Sequence, residues 1–459
     1  MRGRLRYFFT ESTVLPALVL TVTVALLSLG PIRNADFGIH HRAGQVIRAH
    51  VGWLPPERDD LSYSTQAAKW VNFEWLFDRG LAAVYDTGGA GAVVVLRALA
   101  LVATALLALL AARKLGADPW VAALLLLLVM PAIQPRFSER PHVVGDLLLV
   151  VTFGALAWNR GLLWLPPLTA LWANLHGSFV LGVMLCCVAF IWRPSRRLAV
   201  VGLCTALAPL VNPWGAAVYR VPLEHWMSGQ RVLMAEWAPY PIGALLAPTL
   251  WPPLLLGVLL CVAALRRCSR DLSVQLPALV LLVLTLRSNR FITSYAWLCA
   301  PAVAAALPRL GLLRLPLRRT LLVAGAVVAL GLGFSRIGLG HDDRAFPRAA
   351  ADHVLGRRLT GNAFAAFDDA GYLIGRLHPS VRFFIDGRYT LHGEAKLARY
   401  FAVLTDQAAW DRLEGEYDVR LAVLQWRVPA LRRLADRLRA TGRWRMTHAD
   451  RRDIVLVRR

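Results

Sequence analysis

The stretch "VLPALVLTVTVALLSLGPIRNADFGIHHRAGQ" (residues 14–45) passes without a break from an apolar run into a cluster of polar groups. Residues 14–32 carry no ionisable side chain. They come close to the roughly 20 apolar residues that a helix needs to cross a bilayer. Asp36, His40, His41 and Arg42 follow directly. A boundary of this kind ends a membrane span and leaves an acid and two imidazoles at the membrane surface. The basic start "MRGRLR" imitates a signal peptide, but the run is long and no small-residue cleavage site follows it. It is read as an uncleaved first span.

The same pattern recurs along the chain. Further apolar runs cover 91–112, 119–133, 143–158, 161–175, 177–192, 198–211, 242–265, 272–287, 291–307 and 320–338, which predicts about eleven spans. The whole chain of 459 residues is 57% hydrophobic. Soluble domains lie near 45–50%, so a polytopic helical membrane protein is expected. The net charge of +23 comes mostly from arginine. With the N-terminus in the cytoplasm, basic loops at 2–6, 112–116, 159–161, 193–197, 266–270 and 308–319 all fall inside, as the positive-inside rule requires. No basic stripe with interleaved aromatics suggests nucleic acid. None of the six cysteines has metal-site spacing; Cys268 lies in a basic loop, and the other five lie within apolar runs and read as buried apolar residues.

The opposite loops are longer and hold the candidate chemistry. The first, 33–90, contains Asp36, His40 and, in "NFEWLFDRG", Glu74. Asp36 at a span end is either a helix cap or a partly desolvated base. His40, four residues on, shares its helical face. It orients Asp36 or joins it as a ligand of a divalent metal such as Mg or Mn, unless both histidines simply meet lipid head groups. Glu74 among aromatics is either functional or on the wet side of an amphipathic helix lying on the membrane.

"QPRFSERPH" (134–142) offers Arg136 and Arg140, and "RSNR" (287–290) offers Arg287 and Arg290. Guanidinium groups match phosphate oxygens; the ordinary alternative is anchoring to head groups. Asn174 and His176 in "WANLHGSFVLG" interrupt an apolar run, so they pair, end a helix or line a polar cavity. Asn212 in "VNPWG" and Glu236 in "MAEWAPYP" lie at other outer ends. The spans themselves carry almost no charge, which favours surface chemistry over transport.

Past residue 340 charge increases and short alternating runs begin. Strands are expected at 362–367, 381–386 and 419–425, helices at 370–377, 406–417 and 428–442, and a closing hairpin from "WRMTHA" and "DIVLVRR". This predicts a small α/β extracytoplasmic domain, 340–459, after a transmembrane domain, 1–339. Asp369, Asp386 and Arg388 stand at strand ends, where α/β folds place ligands, although Asp-Gly is also ordinary turn chemistry. No P-loop, dinucleotide fingerprint, HExxH or GxSxG occurs.

A polytopic chain with an Asp after its first span, a long first outer loop and a C-terminal outer domain resembles the GT-C glycosyltransferases. More closely, "DFGIHHRAGQVI", "NFEWL", "RFSERPH", "ANLHGSF", "NPWG", "EWAP" and "FIDGRYTLHG" resemble a set of bacterial membrane proteins. The GT-C resemblance implies transfer of a sugar from a polyprenyl-phosphate-linked donor, with the first-loop acid as base. Many GT-C enzymes carry an acidic pair in that loop; here "NADFGIHH" has a single acid, so only Asp36 inherits the role.

The expectation is an inverting glycosyltransferase at the outer face of the cytoplasmic membrane, acting on a glycan, lipid or protein acceptor. Asp36, His40 and Glu74 form its catalytic set. Arg136, Arg140, Arg287, Arg290, His176 and Asn174 hold the lipid donor's phosphate. Glu236, Asn212, Asp369, Asp386 and Arg388 lie on the acceptor side. The competing readings are a membrane-anchored binding or assembly protein and a lipid-linked saccharide transporter.

Overall fold

The computed structural model describes residues 11–50, 54–227, 236–266, 274–310, 323, 325–327 and 337–459. The expected span at 320–338 and the basic loops at 266–270 and 308–319 lie largely outside these residues. The chain divides into two compact units. One comprises Met1–Pro31 with Ala90–Gly340, the other Ile32–Gly89 with His341–Arg459. The long first loop thus folds with the C-terminal segment as one body.

The first unit is helical, and its helices follow the apolar runs. Among the described residues three helices are long and apolar enough to cross a membrane: Trp75–Lys114, Pro119–Arg136 and Pro248–Leu265. Trp75–Lys114 is broken at Gly89, whose φ of 66° lies in the left-handed region. Glu11–Ser28, His142–Trp158, Leu165–Leu175, Phe179–Trp192, Arg196–Leu207 and Gln275–Arg287 are shorter. The helices follow the expected apolar runs, and among the described residues the count of eleven spans is not confirmed. The expected spans around 161–211 are short because His176 ends one helix in extended backbone and "RPS" (193–195) ends the next.

At the centre of this unit lies Ile292–Ala306, buried at nearly every position. It packs against Pro119–Ile133, Gln275–Arg287, Trp251–Leu265 and His142–Trp158. Its alanines let neighbouring backbones approach, and close van der Waals contact is what holds helices together in lipid. Arg97 is buried beside Glu139 and also donates to the carbonyl oxygens of Ser28 and Gly30. It neutralises an acid and satisfies the open end of Glu11–Ser28 together.

The second unit carries a five-stranded sheet in the order β2-β1-β3-β5-β4. The strands are β1 (Gly361–Ala365), β2 (Val381–Phe383), β3 (Val419–Gln425), β4 (Trp444–Ala449) and β5 (Asp453–Arg458). β1 runs parallel to β2 and β3, and the closing hairpin adds antiparallel β5 and β4. Helices Phe367–Leu377, Gln407–Tyr417 and Pro429–Ala440 match expectation. Tyr389–Thr405 is an additional helix, interrupted at Gly393 with φ 69°.

The polar end of the opening stretch begins helix Asp36–Ala49 in this unit. Its two glycines explain how it is held. A Cβ on Gly38 would lie 2.2 Å from the Gly371 carbonyl oxygen, and one on Gly375 would lie 2.8 Å from Gly38 Cα. Helix Asp36–Ala49 therefore crosses Phe367–Leu377 backbone to backbone. Gly44 makes the same kind of approach to the start of Trp75–Lys114, with the Asp78 carbonyl oxygen 2.0 Å from a built Cβ.

We expect Gly38→Val to destabilise this unit by about 1–3 kcal/mol, the usual cost of forcing extra volume into a packed contact. Gly80, a helical position with open space at its Cβ, should accept Ala without loss. Thermal melting in detergent checks the pair. Equal melting temperatures for wild type and Gly38→Val would contradict the backbone crossing.

Candidate functional site

Two polar clusters stand out, one in each unit. In the second unit Asp36 opens its helix in the first turn and is half-buried. Asn34 Oδ1 accepts from its backbone N–H at 2.9 Å. The "DGR" turn at 386–388 passes against it, because a Cβ on Gly387 would lie 2.6 Å from Asp36 Oδ1. Asp368, adjacent in charge, is a second acid near Asp36 contributed by the C-terminal segment. Its surroundings, and then the Asp369 and Asp36 carboxylates, raise its pKa above the usual aspartate value.

His40 Nδ1 is 2.7 Å from Asp78 Oδ1, so Asp78 fixes that side of the ring. Asn72 Nδ2 donates to the other Asp78 oxygen at 2.8 Å. Asp78 is buried, and nothing in its local sequence marks it, since its partner His40 lies 38 residues away. Burial alone would lower the His40 pKa. The charge and hydrogen bond of Asp78, followed by the charges of Glu74 and Asp36, outweigh it and raise the pKa. His40 thus sits among three acids. Among the described residues no group of three or more His, Cys, Asp or Glu side chains is arranged to hold a metal ion, and His40 Nδ1 is already taken.

Asp386 and Arg388, expected on the acceptor side, are used internally. Asp386 is fully buried. Arg388 Nε and Nη2 donate to its two carboxylate oxygens at 2.9 and 2.7 Å, and Nη1 reaches Asp59 Oδ1 at 2.5 Å. Ser62 Oγ donates to Asp386 at 2.6 Å, and the guanidinium lies over Trp70. Burial would raise the Asp386 pKa, but Arg388 and His392 hold it well below the carboxylate range. The network ties the first loop to the "FIDGR" turn. Asp369 is likewise buried, paired with Arg452 at 2.6 Å and Gln425 at 2.8 Å.

The first unit brings together Arg136, Arg140, Arg290 and Glu236. Arg140 Nη1 bonds Glu236 Oε1. Arg136 Nη2 and Arg290 Nη1 lie 3.8 and 4.0 Å from Oε2. Arg290 stacks over Trp237 at 4.6 Å. Burial would raise the Glu236 pKa, yet Arg140, Arg290 and Arg136 bring it down to about 2. Glu236, expected on the acceptor side, lies with these arginines. Arg287 ends helix Gln275–Arg287 and is exposed. Three other candidates do local work. Asn174 Nδ2 donates to the carbonyl oxygens of Ala170 and Val211 at 2.8 and 2.9 Å. His176 Nδ1 meets Ser178 Oγ at 2.6 Å beside Gly145. Asn212 Oδ1 accepts from Trp214 N–H at 2.7 Å and so shapes a turn.

The raised His40 pKa has a defined sign. A histidine whose folded pKa exceeds its unfolded value of about 6.5 stabilises fully below pH 6.5 and loses that contribution as pH rises through the folded value. Asp78→Asn should lower the His40 pKa in an NMR titration and flatten this loss. An unchanged titration would contradict the pairing.

No family model matches the chain, and no curated protein sequence does. Solved structures do. The oligosaccharyltransferase of Archaeoglobus fulgidus, in its apo form, superposes with a TM-score of 0.64 at 12% identity, covering 89% of this chain and 69% of that one. ArnT of Cupriavidus metallidurans, solved with undecaprenyl phosphate bound, gives 0.59 at 15%, covering 96% and 97%. The arabinofuranosyltransferase AftD from Mycobacteria gives 0.51 at 14%, covering 96% of this chain and 39% of AftD. These are GT-C glycosyltransferases; this chain has the GT-C fold.

Proposed function

We propose that the chain is an inverting glycosyltransferase that moves a sugar from a polyprenyl-phosphate-linked donor to a cell-envelope acceptor at the outer face of the cytoplasmic membrane. The observation that carries this is the set of three guanidinium groups gathered on one carboxylate in a protein of GT-C fold. Guanidinium is well suited to phosphate oxygens.

In this reading Asp36 accepts the proton of the acceptor hydroxyl as that oxygen attacks the anomeric carbon. The bond between the anomeric carbon and the phosphate oxygen breaks, and the lipid phosphate leaves with the electron pair. Arg136, Arg140 and Arg290 stabilise the charge that develops on it. His40, fixed by Asp78, and Glu74 set the field around Asp36. The amphipathic stretch 45–80 guides the lipid tail, and the C-terminal segment selects the acceptor. The cytoplasmic N-terminus, the outer C-terminal domain (340–459) and about eleven crossings complete the proposal, supported by the distribution of arginines between loops.

Purified protein in liposomes, given a polyprenyl-phosphate sugar and envelope acceptor fractions, tests it. Asp36→Asn should reduce transfer by about 10²-fold or more, the lower end of what general-base removal costs, without altering membrane insertion. Arg136→Gln with Arg140→Gln should also reduce it strongly. Full activity in Asp36→Asn would remove the assigned base, and translocation without transfer would replace an enzyme by a transporter.

A further inference from the structure

The start of helix His142–Trp158 is held by three neighbouring segments. His142 Nε2–H donates to the Arg136 carbonyl oxygen at 2.8 Å and closes the loop between them. A Cβ on Gly145 would lie 2.9 Å from His176 Nδ1, so the "LHGS" turn (175–178) presses on the helix backbone. Asp146 follows His142 by four residues and shares its helical face. It accepts from Ser294 Oγ at 2.6 Å, and both residues are buried.

The Asp146–Ser294 bond joins the starts of two helices. His142–Trp158 follows the loop that carries Arg136 and Arg140. Ser294 stands in the first turn of Ile292–Ala306, which follows the Arg290 turn, Asn289–Phe291. Packing between the helices is built from contacts without direction, so it resists sliding and rotation only weakly. A hydrogen bond of this length tolerates little of either. A carboxylate inside an apolar bundle is costly, and an apolar side chain would serve packing alone. Arg136 and Arg290 come within 3.8 and 4.0 Å of the same Glu236 oxygen, and relative motion of the two helix starts would part them.

We propose that Asp146 is a positioning residue of the phosphate site. By accepting from Ser294 it holds the Arg290 turn beside the loop of Arg136 and Arg140, so that their guanidiniums meet one phosphate group. This rests on the reading of the arginine cluster as the phosphate site.

The test is a double-mutant cycle on binding of farnesyl phosphate to the full-length protein in detergent. Ser294→Ala should weaken binding by about 10-fold in wild type. It should weaken binding by less than about 2-fold in Arg290→Gln, where the guanidinium it places is gone. Arg136 and Arg140 remain in Arg290→Gln, so binding stays measurable. Asp146→Leu keeps the branched shape and breaks the same bond from the other side, so the cycle does not depend on one variant folding. The charge of Arg136 also reaches Asp146, and Asp146→Asn separates that effect. Asn still offers Ser294 an acceptor and should bind as wild type does. Losses that are equal with and without Arg290, no loss at all, or a loss in Asp146→Asn as large as in Asp146→Leu would overturn the inference while leaving the phosphate site intact. If Arg290→Gln and Arg136→Gln with Arg140→Gln all bind farnesyl phosphate as wild type does, the phosphate site itself is wrong, and the inference falls with it.

Discussion

Helix Asp36–Ala49 has no room for side chains at two points, and the arrangement of the acidic cluster depends on that. Gly38 lies on the backbone of Phe367–Leu377 and Gly44 on the backbone that carries Asp78. Contacts this close fix both the rotation and the height of the helix. They set Asp36 beside the turn at Gly387 and bring His40 within 2.7 Å of Asp78. A side chain at either glycine would move the helix by more than a hydrogen bond tolerates. The buried pairs of Arg388 with Asp59 and Asp386 hold the rest of the first loop on the same body.

The chain separates two kinds of electrostatics. In the second unit the charges of Asp78, Glu74 and Asp36 surround His40 and raise its proton affinity. In the first unit guanidiniums outnumber carboxylates, which suits a developing anion. A glycosyl transfer from a lipid phosphate needs both functions: a proton must be taken from the acceptor and a phosphate must be allowed to leave. In the proposed reading the GT-C fold supplies the frame, and the side chains of each unit supply one of these functions.

Much of this was legible in the sequence, for physical reasons. Apolar runs mark lipid-facing helices, and alternating runs marked β1, β3 and the β4–β5 hairpin. Arg136, Arg140 and Arg290 stood out because cations are scarce in outer loops. Pairing was harder to see. Spacing of four residues placed His40 on the same face as Asp36, but it does not say which way a ring nitrogen points, and Asp78 lies 38 residues away. Glu236 is 96 residues from Arg140, so nothing local linked them. Helix Tyr389–Thr405 carries no continuous periodic signal, because Gly393 interrupts its pattern. Asp386 and Arg388 looked like turn-end ligands, since a buried ion pair and an open one have the same local sequence.

The most direct measurement follows the oxygen that bridges sugar and phosphorus in the donor. With that oxygen labelled as ¹⁸O, the label should remain in the released polyprenyl phosphate, because the anomeric carbon–oxygen bond is the one that breaks. Label found in the glycosylated acceptor, or no transfer by the purified protein, would contradict the account.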